Sequence, residues 1–304
     1  MDMNASKIEG GFRSKGVENK KSDLTGPIVS IITVVLNGGA MLEKTIQSVI
    51  GQTYSGIEYI IIDGGSADNT IDIIKKYQSR IAFWVSEKDK GIYDAMNKGI
   101  NFAKGDIVYF LNCGDMIYSK NVLEKVIDVF KRDEGIGIVY GKSEHFLTRA
   151  GIKFIQGKQL SYSELWKGMS VCHQSMLYKK VLFDILGRYD TKLKLDADHE
   201  FLLRFIKERP RHLYKDTFID LIISKYDISG SSGKELFTSL IEMEKVSDAY
   251  FGKSFFRKLH FRIQFIRYCL RYLLIKSGLW HIYCSIKFNY IKNVLQWLYS
   301  KDTH

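Results

Sequence analysis

GDIVYFLNCGD, residues 105–115, is the stretch that decides the fold. Ile107 to Leu111 are five consecutive strand-forming residues, apolar throughout, as a strand buried on both faces requires. They run into a polar turn, Asn112-Cys113-Gly114, that ends on the carboxylate of Asp115. In an open α/β sheet, ligands bind at the carboxyl ends of such strands. A rigid core element therefore presents Asp115, and the small turn residues let backbone come close to a ligand.

Upstream the same pattern repeats. Val29–Leu36 is a β-branched strand broken by Asn37-Gly38-Gly39. Leu42, Ile46, Val49 and Ile50 then recur at helical spacing. Glu58–Ile62 is a second strand, closed by Asp63-Gly64-Gly65-Ser66; Ser66 or Asp68 can cap the helix carrying Ile71, Ile74 and Tyr77. Ile81–Val85 is a third strand, and Ile92, Ala95, Met96, Gly99, Ile100 and Ala103 form one helical face. Downstream, Val122–Phe130 reads as a helix and Ile136–Tyr140 as a strand. This alternation predicts a mostly parallel, Rossmann-like sheet with helices on both faces. Beyond Gly141 the pattern loosens: irregular strands, short helices near 160–167 and 181–186, a longer helix through Glu200–Lys207, an edge strand at Ile219–Lys225, and helix from Lys234 to the end.

The chain has 304 residues and a net charge of +11. From Lys253 onward there are ten Lys/Arg against one acid, so that tail carries +9 of it. The rest is near neutral, which argues against a nucleic-acid partner for the whole chain. Four cysteines show no metal-binding spacing and suit a reducing compartment. Residues 1–26 are polar and read as a flexible leader with no apolar signal-peptide core. No apolar run is long enough for an ordinary transmembrane helix.

Neither GxGxxG nor GxxxxGK[ST] is present, so a dinucleotide oxidoreductase is disfavoured. Instead the strands end in Asn37, Asp63, Glu87 with Asp89, and Asp115. Such groups can hydrogen-bond a base and ribose, and one can hold a divalent cation against a diphosphate.

Six segments, TVVLN (33–37), YIIIDGGSADNT (59–70), SEKDKGIYDAMNKGI (86–100), GDIVYFLNCGD (105–115), CHQSMLYKK (172–180) and DADHEFLLR (196–204), resemble in order the motifs of glycosyltransferase family 2. The resemblance covers about residues 28–225. It implies an inverting, nucleotide-sugar-dependent enzyme of the GT-A fold, similar to bacterial enzymes that build exopolysaccharide, capsule or O-antigen units. It places Thr33, Val35, Asn37, Asp63, Asp89, Asn97, Asn112 and Gly114 on the nucleotide and donor side. Asp63 would accept the base N–H. Gly64 replaces a usual second acid, so help from that position is lost. Asp115 matches the last acid of a metal-binding signature whose other acids are here Asn112 and Gly114, and implies Mn²⁺ or Mg²⁺, with His173 a weaker candidate ligand. Asp198 matches the catalytic base, and His173, Gln174 and Arg204 fall on the acceptor side. Without the resemblance, Asp115 is a turn aspartate, His173 a structural histidine, and Asp196 and Asp198 acids favoured by a helix dipole.

The tail interleaves Arg257, Lys258, Arg262, Arg267, Arg271, Lys276, Lys287 and Lys292 with aromatic and aliphatic residues. A basic amphipathic helix of this kind lies on an anionic membrane surface or packs on the preceding domain. The expected organisation is a leader (1–26), a GT-A domain (27–230) and a basic helical region (231–304). The expected activity is hexosyl or N-acetylhexosaminyl transfer from a nucleotide-sugar donor, UDP-linked, to a saccharide acceptor carried on undecaprenyl diphosphate. Its location would be the cytoplasmic membrane face. An inactive nucleotide-sugar-binding or membrane scaffold of the same fold is the alternative.

Overall fold

A computed structural model of the chain describes residues 7–16, 26–147, 152–227 and 236–276. In chain order the elements are β1 (Ile8–Gly10), β2 (Val29–Val35), α1 (Gly39–Ile50), β3 (Ile57–Asp63), α2 (Thr70–Lys76), β4 (Phe83–Ser86), α3 (Ile92–Phe102), β5 (Ile107–Phe110), β6 (Met116–Ile117), α4 (Val122–Arg132), β7 (Ile136–Leu147) and β8 (Ile152–Gln156). Then come β9 (Met176–Lys179), α5 (Val181–Ile185), α6 (Ala197–Lys207), α7 (Arg209–His212), β10 (Lys215–Asp227), α8 (Leu236–Phe251) and α9 (Phe255–Lys276).

The sheet order is β1-β4-β3-β2-β5-β9-β7-β10-β6, with β8 paired to β7. β4, β3, β2 and β5 run parallel, as do β7 and β10; β1, β6, β8 and β9 pair antiparallel. From β2 the chain winds outward through β3 to β4, then returns to place β5 on the other side of β2. The β2 and β5 ends therefore flank a topological switch point, where ligands of such sheets bind.

All seven residues of β2 are buried, which explains its unbroken apolar and β-branched sequence. On one face α1 and α4 bury Leu42, Ile46, Val49, Val122, Val126 and Phe130 against the sheet. On the other, α3 lies so close that a Cβ on Gly99 would meet Ile32 Cγ2 at 2.4 Å. That face continues as an aromatic cluster, in which Tyr189 packs on Phe110, Phe183 and Phe201 at centroid distances of 5.5, 5.7 and 5.4 Å.

The structure adds detail to these expectations. Residues 8–15 are ordered: β1 pairs with β4, placing Ile8 opposite Ser86 and Gly10 opposite Trp84. Arg13 Nη1 then reaches the buried Glu58 carboxylate at 2.6 Å and the Phe102 carbonyl at 3.0 Å. The strand expected at 219–225 spans 13 residues; β7 pairs along one side of it, and on the other β6 pairs only with Ser224 and Lys225, so most of that side is an edge, as expected. β9, inside CHQSMLYKK, was not anticipated. The chain divides into two units, Met1–Tyr250 and Phe251–His304. Most of α8 belongs to the first unit. Its Glu242 accepts the Lys194 N–H at 2.8 Å and the Leu195 N–H at 2.8 Å, bracing the loop that enters α6.

In the second unit, α9 exposes Phe255, Phe256, Leu259, Ile263, Phe265 and Ile266 alongside exposed Lys258, Arg262 and Arg267. Among the described residues no helix is long and apolar enough to cross a membrane. The helix expected over residues 277–304 lies outside the described residues.

Candidate active site

The turns after β2 and β3 lock to each other. Asn37, at φ 51, is exposed; its N–H donates to Ser66 Oγ at 2.7 Å and its Oδ1 accepts the Ala67 N–H at 2.9 Å. Asp63 organises its own turn. Its Oδ2 accepts the Gly65 and Ser66 N–H groups at 3.1 and 2.9 Å and the Ser86 hydroxyl at 2.6 Å. Its Oδ1 accepts the Ser66 hydroxyl, and the residue is 0% exposed. Four internal donors thus surround the Asp63 carboxylate.

Three more expected donor contacts are also committed elsewhere. Thr33 is buried and donates to the Leu111 carbonyl at 2.8 Å. Val35 belongs to the core. Asn97 clamps the Tyr189 backbone, giving Nδ2–H to its carbonyl at 2.9 Å and taking its N–H on Oδ1 at 3.0 Å. Asp89, by contrast, is only partly buried; its Oδ1 accepts the Gly91 N–H at 2.9 Å. Partial burial pushes its carboxyl above the ordinary value. Leu36 and Met41, 59% and 50% exposed, add apolar surface at this rim that the sequence reading did not single out.

At the β5 end, Thr45 of α1 holds the turn. Its hydroxyl donates to the Asp115 carbonyl at 2.8 Å and accepts the Gly114 N–H at 3.0 Å. Gly114 sits at φ +97, in the left-handed region that favours glycine. Asp115 is 4% exposed. Asn112 Oδ1 is buried and makes no hydrogen bond. Two hard oxygens on one turn suit a divalent cation. Among the described residues no group of three or more His, Cys, Asp or Glu could hold a metal, so further ligand oxygens would have to come from a bound diphosphate.

Asp198 lies in the first turn of α6, and its Oδ1 accepts the Tyr93 hydroxyl of α3 at 2.8 Å. Burial, then the Asp198 charge, holds the Tyr93 phenol well above its usual range. Burial pushes the Cys172 thiol up, and the charges of Asp115 and Asp198 add to that rise. The remaining expected acceptor-side residues make internal contacts. His173 is buried, stacks on Phe110 at 5.3 Å and bonds the Tyr189 hydroxyl through Nε2 at 2.9 Å. Burial lowers its pKa. Gln174 Oε1 accepts the Cys172 thiol at 2.8 Å. Arg204 gives its guanidinium to the Leu186 and Arg188 carbonyls at 2.6 and 3.0 Å and to Glu200 at 2.5 Å.

Beside Asp198 lies a buried pair that the sequence reading missed. His199 Nδ1 meets Asp196 Oδ2 at 3.0 Å, and Nε2 meets the Leu165 carbonyl at 2.7 Å. Burial raises Asp196 to about 6, with His199 pulling the other way. Burial opposes the His199 charge, but the Asp196 contact outweighs it and its pKa is raised.

The profile described as glycosyl transferase family 2 matches residues 30–186, a span that holds the switch-point turns and the Asp115 turn. The chain belongs to glycosyltransferase family 2. This glycosyltransferase is 34% identical over 191 residues to an uncharacterized glycosyltransferase of Mycobacterium tuberculosis, covering 59% of this chain and 69% of that one. It is 30% identical over 184 residues to a PGL/p-HBAD biosynthesis glycosyltransferase of Mycobacterium bovis, covering 60% and 70%. Among solved structures it is similar to S. aureus TarS 1–349 in complex with UDP-GlcNAc (TM-score 0.53, 17% identity, 66% of this chain and 58% of that one). It is also similar to the mannosyltransferase PcManGT of Pyrobaculum calidifontis in complex with GDP-Man and Mn²⁺ (TM-score 0.54, 16% identity, 75% and 67%). These likenesses establish the GT-A fold of this glycosyltransferase.

Proposed function

We propose that this glycosyltransferase transfers a hexosyl or N-acetylhexosaminyl group, with inversion, from a UDP-sugar to a glycan acceptor. The observation that carries the reading is the turn after β5, which sets the unpartnered Asn112 Oδ1 and the Asp115 carboxylate together at the carboxyl end of a central strand. Asp198 lies in the first turn of α6. In this reading Asp198 takes the proton of the acceptor hydroxyl as that oxygen bonds to the anomeric carbon. The bond from that carbon to the diphosphate breaks, and the nucleoside diphosphate leaves with its electron pair. Asn112 Oδ1 and Asp115 would hold Mn²⁺ or Mg²⁺. When bound, that ion would neutralise charge on the diphosphate. The UDP-GlcNAc bound by TarS supports a UDP-linked donor.

The acceptor in this reading is a saccharide on undecaprenyl diphosphate, and the pathway is surface polysaccharide synthesis. The exposed apolar and basic residues of α9 support contact with an anionic membrane at its cytoplasmic face. The test is a thermal-shift screen of UDP- and GDP-sugars with and without manganese, followed by donor turnover. A donor that binds the folded site raises the melting temperature by mass action. Asp198→Asn should keep that shift and lose turnover; retained turnover would refute Asp198 as the base.

A further inference from the structure

Glu242 is a buried carboxylate on the face of α8 that also buries Leu240, Val246 and Ser247. A charge at such a position is costly unless donors meet it. Its donors are backbone groups. Oε1 accepts the Lys194 N–H at 2.8 Å, and Oε2 accepts the Lys194 and Leu195 N–H groups at 3.0 and 2.8 Å. These two amides come immediately before Asp196, the residue from which α6 starts. The Asp196 side chain does not cap that helix; it pairs instead with His199 at 3.0 Å. The entry to α6 is therefore held from outside, by α8.

The next residue of α8 holds a second segment. Met243 lies so close to Gly168 that a Cβ there would meet its Sδ at 3.0 Å. The Gly168 N–H donates to the Leu165 carbonyl at 3.0 Å, and the same carbonyl meets His199 Nε2 at 2.7 Å. The contacts close a circuit: Glu242 to the 194–195 amides, Asp196 to His199, His199 to Leu165, and Gly168 back to Met243. Asp198 sits inside this circuit, next to His199 in the first turn of α6. Further along α8, the Tyr250 hydroxyl donates to Glu200 Oε1 at 2.5 Å. Contacts from α8 thus bracket Asp198 at residues 195 and 200. α8 lies beyond residues 30–186, which the family profile matches.

We propose that Glu242 is a positioning residue for the transfer: it sets the first turn of α6 and so aims the Asp198 carboxylate at the acceptor oxygen. This rests on the reading of Asp198 as the base. Glu242 touches neither substrate in this role. Its loss leaves two amides without their acceptor, and the first turn of α6 loosens while the turns after β2 and β5 stay in place. A shift of about 1 Å in a reacting group can cost about 100-fold in rate.

The test uses the full chain with manganese and UDP-glucose, UDP-GlcNAc and GDP-mannose. Calorimetry reads donor affinity, release of nucleoside diphosphate with water as acceptor reads turnover, and amide hydrogen exchange reads local order. E242A should lower kcat at least about tenfold while donor affinity stays within about twofold. Its exchange should quicken at residues 194–201 and not in β2 or β5. E242Q should restore kcat, because a single oxygen in the place of Oε2 can accept both N–H groups. E242D keeps the charge but is one methylene shorter, so it should lose part of kcat, and it carries the test if E242A does not fold. Wild-type kcat in E242D, unchanged exchange at 194–201 in E242A, or donor affinity falling in step with kcat would each overturn the proposal. D198N is run alongside. Turnover retained in D198N would remove the base reading itself; an inactive D198N beside a fully active E242A would overturn this proposal alone.

Discussion

The Tyr93 hydroxyl donates to Asp198 Oδ1 across 2.8 Å, tying the helix behind the donor loop to the first turn of α6. One turn further along α3, Asn97 clamps the Tyr189 backbone. A single helix therefore fixes both the proposed base and the aromatic cluster beneath it. With Oδ1 occupied, Oδ2 is the oxygen left to face an acceptor. Tyr93→Phe removes only that bond, and kcat is expected to fall roughly tenfold, the worth of one hydrogen bond to a charged group. Donor affinity, read by calorimetry, should not change; a lost affinity with unchanged kcat would refute the positioning role.

Asp115 and Asn112 make a separable prediction. Asp115→Ala should abolish the part of donor binding that depends on manganese and leave the metal-free part. Asn112→Leu, which removes the orphaned oxygen at similar volume, should weaken the manganese dependence by a smaller factor. Titrating manganese at fixed nucleotide reads both. A manganese response unchanged in Asp115→Ala would remove this turn from consideration as the metal site.

The Asp196–His199 pair makes stability pH-dependent with a definite sign. Both groups are raised on folding, Asp196 from its ordinary value to about 6 and His199 above its ordinary value. The folded state then holds protons that the unfolded state has released, so stability falls as pH rises. The Asp196 contribution fades from about pH 4 to about 6. The His199 contribution is whole below about 6.5 and is lost through its higher folded pKa. Melting temperature measured from pH 6 to 9 should decline, and His199→Gln, which can still donate to Leu165, should flatten that decline. An equal slope in the variant would assign the effect elsewhere.

Arg13 reaches the buried Glu58, whose other oxygen accepts the Ser30 hydroxyl at 2.5 Å and the Lys104 N–H at 2.8 Å. Arg13→Ala leaves a buried carboxylate short of its cationic partner, and a loss of about 1–3 kcal/mol in urea unfolding is expected. Arg13→Lys should recover part of it. No loss in Arg13→Ala would mean that the N-terminal segment adds nothing to the stability of the sheet.

For α9, reversing Lys258, Arg262 and Arg267 to Glu in the full chain should abolish flotation with anionic vesicles. Each basic group near such a surface contributes about 1 kcal/mol. Leaving the charges and replacing Phe255 and Phe256 by Ser should weaken flotation at all salt concentrations. Flotation that survives both changes would refute the membrane role of this helix.

The central strands were legible because strands buried on both faces must be apolar throughout, and Val29–Val35 or Ile107–Phe110 admit little else. β9 was not, because four residues inside a longer motif carry no period. The candidate site was legible as a set of positions, much less as a set of roles. Thr33, Asp63, Asn97 and Arg204 are polar residues in motif segments, yet each is spent on backbone or on a neighbouring hydroxyl. In sequence, a carboxylate that closes its own turn looks the same as one that waits for a ligand. Tyr93 shows the reverse case. It falls three residues before Met96 and seven before Ile100, on the buried face of α3, and only the packing of α6 against that face reveals what its hydroxyl holds.

The pairing of β1 with β4 has a further consequence for handling the protein. An uncovered strand edge is a template for other chains, and here the edge next to Trp84 is covered from within the first sixteen residues. At the far side the two-residue β6 pairs with β10 only at Ser224 and Lys225. A chain trimmed to begin at Pro27 would bare the backbone of β4 and the indole of Trp84 together. Such a preparation should form sheet-rich aggregates at concentrations where the full chain stays dispersed, which light scattering would follow directly.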